Sequence, residues 1–245
     1  MNNLLKMERY QLLHNRVFWG GMIGIFLIGF FTADTYLMEV LGPSGGAAKS
    51  LSDIFNGMVY DSTFVLIIVS SILALILGQE FSWRTIDQEI CAGHSRRQIF
   101  SCKLIVYLIA FNLMAIIYPL AGCIREYGRF GIVGAALFFY SIIKAVVYSL
   151  LLNSVVFLIP ILCCYCFRNT AKSVGVTAAI VFVLSLYLGY GMELGLPIAF
   201  LPIYQIREVV RSSAIIQPFS LIVGTVWLIV LLLMSWRIFR KCDLK

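Results

Sequence analysis

The chain has 245 residues, 61% of them apolar and 13% charged, with a mean hydropathy of +0.94. That balance excludes a soluble globular domain and names the bilayer as the solvent. The net charge of +7 requires no nucleic acid, because basic residues biased to one side of a membrane and facing anionic lipid account for it.

A hydrocarbon core about 30 Å thick takes roughly 20 helical residues to cross. Apolar runs of that order lie at residues 17–36, 62–78, 104–124, 141–167, 173–192 and 219–238. They are continuously apolar instead of alternating with period two, which excludes a barrel. The reading is an all-α integral membrane protein, a single six-span domain over residues 1–245. Placing the N-terminus inside leaves only Lys49, Arg125, Arg129, Lys144, Arg207 and Arg211, of nineteen basic residues, on the far side. Both termini are therefore expected in the cytosol, at a plasma (inner) membrane. The first run is full length and lacks a small-x-small exit, so it is expected to remain as an anchor and not to be cleaved.

Residues 2–16, ahead of the first span, read as a polar helix on the membrane surface, with Leu5, Leu12 and Arg16 on one side. Within the first span, Gly20 and Gly24 make a small-x-x-x-small face suited to close packing. Asp34, near its outer end, is the only acidic residue inside a span so drawn, which argues against a carboxylate proton relay. Residues 42–50 lack glycine where a phosphate-binding loop needs it, so the chain is expected to bind no nucleotide and to be no enzyme. Gly42-Pro43-Ser44-Gly45 has the shape of an intramembrane serine protease motif, but His14 and His94 both lie outside the spans and no later span supplies a base.

The connection between the second and third spans has internal order. Thr85 with Gln88, and Ser95 with Gln98, are two capping boxes, which implies a short helix at 86–92 stopped by Gly93 and a second helix running into the third span. Asp87 and Glu89 lie in its first turns, where the helix dipole favours negative charge. Ile86 and Ile90 form an apolar ridge. A helix this short is not stable alone, so the ridge rests on the bundle or docks into a partner.

Gln79-Glu80-Phe81, Arg84-Thr85-Ile86, Gly93, Ser95-Arg96, Ile99 and Lys103 resemble a pattern found in permeases of type-2 ATP-binding-cassette (ABC) exporters, as do the polar N-terminal helix and the six spans. Arg84 departs from the pattern, which more often has glycine there. The resemblance implies a half-transporter that pairs with a second six-span permease, as a homodimer or a paralogous heterodimer, and with two separate cytosolic ATPases that hold ATP and magnesium. It implies that 86–92 is a coupling helix and 2–16 an elbow helix. The coupling residues so implied are Glu80, Thr85, Ile86, Asp87, Glu89, Ile90, Gly93, Ser95, Arg96 and Lys103. Similar single-domain permeases act in immunity and efflux, which leads to an amphipathic peptide, a drug or a lipid-like molecule as the expected substrate.

Two outer segments, 130–140 and 195–217, are apolar beyond what the spans need, and suit either re-entrant outer helices or interfacial loops. Lys144 is expected to snorkel outward. Asn112, Ser149, Asn153 and Ser154 either line a polar substrate path or pair between helices. The seven cysteines have no disulfide or metal-ligand spacing, and no cofactor is expected in this chain. A secondary transporter would need a coupling-ion site at midplane, and none is evident. An assembly or sensor protein needs no site and stays open beside the exporter.

Overall fold

The computed structural model describes residues 2–41, 46–132, 135–212 and 216–241. Among them there is no strand, and six helices are long and apolar enough to cross a membrane: Arg16–Leu37, Thr63–Ser82, Arg96–Phe130, Phe138–Phe167, Thr170–Leu194 and Pro218–Lys241. The chain is an all-α integral membrane protein.

In chain order, α1 (Asn2–Leu13) turns at Asn15, whose side chain caps α2 (Arg16–Thr32) by accepting from the Val17 amide. A 3-10 turn, Ala33–Leu37, continues α2. Next come α3 (Leu51–Tyr60), α4 (Thr63–Ser82), α5 (Thr85–Cys91), α6 (Arg96–Phe130), α7 (Ala135–Phe167), α8 (Thr170–Leu194), α9 (Pro202–Arg211) and α10 (Pro218–Lys241). Burial divides the spans into two shells. The apolar stretches of α7, α4 and α6 are 67%, 56% and 50% buried, whereas those of α2, α8 and α10 are each 22% buried and present most of their surface outward. In lipid that outward face costs nothing, since the tails are as apolar as the side chains. The outer helices pack on the inner ones: α2 on α6, α8 on α4, and α10 on α7.

Several expectations need correction. Gly20 and Gly24 have open space where a Cβ would stand, so they pack against nothing within the described residues of this chain. The tightest approach along α2 is at Gly29, where a Cβ would run into the Tyr118 carbonyl oxygen of α6. Residues 135–140 are the first turns of α7 and not a re-entrant piece. Within 195–217, α9 is a separate helix begun by Pro202 at its first turn, resting on α3, α7 and α10. Arg207 fixes it, donating to the Tyr60 carbonyl at 3.1 Å, lying over the Tyr60 ring and pairing with Asp61 at 3.5 Å. The apolar runs give no sign of α3, although its start carries a reciprocal cap between Ser50 and Asp53. Asp34 is not alone, since Glu80, Glu126 and Glu193 also fall within the long helices. Asp34 pairs with Arg125, which also donates to the Phe30 carbonyl at 2.8 Å. Lys144 donates to the Ser212 carbonyl at 2.6 Å. Gly42 to Gly45 and Cys242 lie outside the described residues; the six described cysteines form no disulfide with one another.

Candidate functional site

At the end of the bundle that carries α1 and α5, four elements converge on one ammonium group. Ser95 begins α6 with a complete reciprocal cap: its hydroxyl accepts from the Gln98 amide at 3.3 Å, and its own amide donates to Gln98 Oε1 at 3.2 Å. Two turns on, Lys103 is 1% exposed. Its Nζ lies 2.6 Å from Glu80 Oε2 of α4, 2.7 Å from Glu8 Oε1 of α1 and 3.0 Å from Glu89 Oε1 of α5. Tyr107, one turn further along α6, donates its hydroxyl to the other oxygen of Glu80.

Three carboxylates against one ammonium leave surplus negative charge in a buried place, and a buried charge is expensive unless it is paired. The surplus is reduced by protonation. Burial pushes the Glu8 carboxyl up to about 8, with Glu80 and Glu89 acting in the same direction and Lys103 opposing. Glu8 Oε2 and Glu89 Oε2 are buried without a hydrogen-bond partner among the described residues. The carboxylates surround an ammonium and leave no open coordination position, and among the described residues no cluster could hold a metal ion.

The local backbone explains how α5 reaches this cluster. Arg84 adopts φ 54°, ψ 30°, the left-handed conformation that favours glycine, and so turns the chain sharply out of α4. The departure at Arg84 is therefore an L-residue in a glycine conformation. The expected capping box at Thr85 and Gln88 does not form: α5 already begins at Thr85, whose hydroxyl donates back to the Glu80 carbonyl at 3.1 Å. Gly93, at φ 90°, ends the helix as its sequence predicted.

The apolar ridge is turned inward. Ile86 is 1% exposed and belongs to the core, and Ile90 packs against it, so neither is presented to a partner. Exposed at this end are Trp83, 64% exposed, and Arg84 in the turn before α5, Gln88 and Cys91 on α5, and Ala92 just after it. Asp87 is half-buried, with a buried oxygen that has no partner. Arg96 donates to the Arg240 carbonyl at 2.9 Å and so ties the start of α6 to the end of α10.

Glu8 and Tyr107 are the cluster's members that no motif marks. Leu4, Glu8 and Leu12 recur every four residues and are all buried, so the inward face of α1 is this stripe and not the one through Leu5 and Arg16. A charge in the middle of that stripe conceals its amphipathicity. Tyr107 stands one turn from Lys103 and is legible as its neighbour.

The four mid-bundle polar residues separate into two groups. Asn112 donates to Ser154 at 3.0 Å, a bond between α6 and α7. Ser149 and Asn153 face a small cavity shared with Ser62 and Pro119.

A family model described as ABC-2 family transporter protein matches residues 4–185, from α1 through most of α8. That is well over half of the chain. These features define a multi-pass membrane permease, and the chain belongs to the ABC-2 transporter family. No curated protein matches it.

Proposed function

We propose that this chain is the membrane half of an ATP-driven exporter and that the Lys103 cluster is its transmission joint. Two cytosolic ABC ATPases would dock at the α5 end, and a second six-span permease would complete the pathway. Both termini would be cytosolic. The ATPases would hold ATP and magnesium, and this chain would hold neither. The cargo would be an amphipathic peptide, a drug or a lipid-like molecule, carried outward by alternating access.

One observation carries the reading. The short helix that would face the ATPase is fastened, through a single buried ammonium, to α1, α4 and α6 together. A displacement of α5 cannot leave those elements where they are without separating buried charges, so nucleotide-driven motion would pass to the spans as one body. The outward row Trp83, Arg84, Gln88, Cys91 and Ala92 would supply the docking contacts.

The experiment is reconstitution of the permease with its ATPase in liposomes. Co-purification of the two, together with substrate-stimulated hydrolysis, is the expected result. ATP hydrolysis by the isolated chain, or a permease that works on an ion gradient with no ATPase, would overturn the assignment.

A further inference from the structure

A cleft of about 560 Å³ opens where α1 turns into α2, facing the last turns of α4. The side chains along it differ sharply in character. Leu12, Val17 and Ile76 give it an apolar wall. Glu80 and Tyr107 form a polar floor, with Gln79 and Thr85 beside them. Arg16, exposed at the first position of α2, stands at the rim with Tyr10, His14 and Trp83.

The level of the cleft in the membrane follows from the surrounding elements. It lies at the ends of two apolar helices; Trp83 lines it and Trp19 stands one turn into α2, both exposed indoles of the kind that settle at the boundary between hydrocarbon and water. Trp19 Nε1 donates to the Leu13 carbonyl at 2.7 Å, which braces the turn between α1 and α2. An open cleft with an apolar wall at that depth meets lipid before anything else.

The charges then select among head groups. Arg16 and the capped start of α2 favour an anion at the rim. Glu80 is the member of the Lys103 cluster that lines the cleft, and the cluster holds three carboxylates for one ammonium, so its edge favours a cation. Glu80, Gln79 and Tyr107 all offer oxygens that accept hydrogen bonds, which suits a primary ammonium with its three N–H donors and gives nothing specific to a quaternary one. A ligand with a phosphate and a primary amine a few bonds apart, attached to an apolar body, meets all of these requirements at once.

We infer that this cleft holds the head group of a membrane phospholipid bearing a primary amine, with its phosphate at Arg16 and its ammonium at Glu80. Held there, the lipid bridges the start of α2 and the last turns of α4, the second of which the Lys103 cluster holds. The site depends only on the chain's residence in a bilayer and not on its pairing with an ATPase.

The test uses the full chain in nanodiscs of equal parts phosphatidylethanolamine, phosphatidylcholine and phosphatidylglycerol with identical tails, released gently into a native mass spectrometer. Preferential retention of one phosphatidylethanolamine is expected. Arg16→Gln should lower that retention about tenfold, the loss of one charge-assisted hydrogen bond. Gln79→Trp should abolish it by filling the cleft. Retention of phosphatidylglycerol or phosphatidylcholine as strongly as phosphatidylethanolamine would overturn the inference. So would a wild-type lipid complement on Arg16→Gln, a variant that should fold because Arg16 is exposed.

Discussion

Lys103 Nζ and Glu8 Oε1 lie 2.7 Å apart with both side chains all but sealed from solvent, so the N-terminal helix is joined to α6 by a buried contact between ammonium and carboxyl. An elbow that merely floated on the membrane surface would not need such a contact. Here α1 is a structural member of the bundle, and its removal would leave Lys103 with one partner fewer.

The first prediction follows from the surplus of carboxylates. Lys103→Met removes the ammonium that the three carboxylates share and should destabilise the protein by about 3–5 kcal/mol, the usual cost of stranding a buried charge. Adding Glu8→Gln, Glu80→Gln and Glu89→Gln should recover much of that loss, because neutral amides need no counter-ion. Thermal unfolding in detergent measures both. If the quadruple variant were no more stable than Lys103→Met, the charges would not be the cause.

The second concerns pH. The Glu8 carboxyl has an ordinary value of 4.5 and is raised to about 8 by burial. The folded protein therefore holds this proton where the unfolded chain has released it. The associated stability is fully present below about 4.5 and is lost as pH rises through about 8. Raising the pH from about 6 to about 9, through the upper part of that window, should lower the unfolding temperature and expose a cysteine placed at Leu4 to thiol reagents. Glu8→Gln should flatten both curves. An unchanged slope in that variant would assign the pH response to another group.

The two bounds of α5 give a third, with opposite signs. Arg84→Gly replaces an L-residue at φ 54° by the residue that favours this region, and should stabilise by up to about 1 kcal/mol. Gly93→Val places a β-branched residue at φ 90° and should cost about 1–3 kcal/mol, although no neighbour lies within 4 Å of its Cβ position. Unfolding midpoints decide; equal effects of the same sign would mean that backbone conformation is not the controlling factor.

The fourth separates the two faces of α5. Ile86→Ala opens space in the core and should cost about 2–5 kcal/mol in stability. Trp83→Ala with Gln88→Ala should leave the unfolding temperature nearly unchanged but weaken capture of the ATPase. Pull-down alongside thermal melts distinguishes them. Wild-type capture by the Trp83/Gln88 variant would remove that surface from the docking face.

Composition and continuous apolar runs were enough to establish the fold class and the number of spans, because the bilayer imposes length and polarity on each segment separately. Gly93 and the Ser95–Gln98 cap were likewise legible, being local matters of backbone conformation and hydrogen bonding. The direction of the Ile86 ridge and the role of Glu8 were not local. Each depends on what lies across the bundle: core side chains around Ile86 and an ammonium from α6 beside Glu8. The lost Thr85 cap is local, but it turns on Arg84 taking a left-handed conformation that its residue type does not announce. A helix pattern tells which residues share a face. Only the packing of one helix against another tells which way that face turns, and whether a charge on it finds a partner.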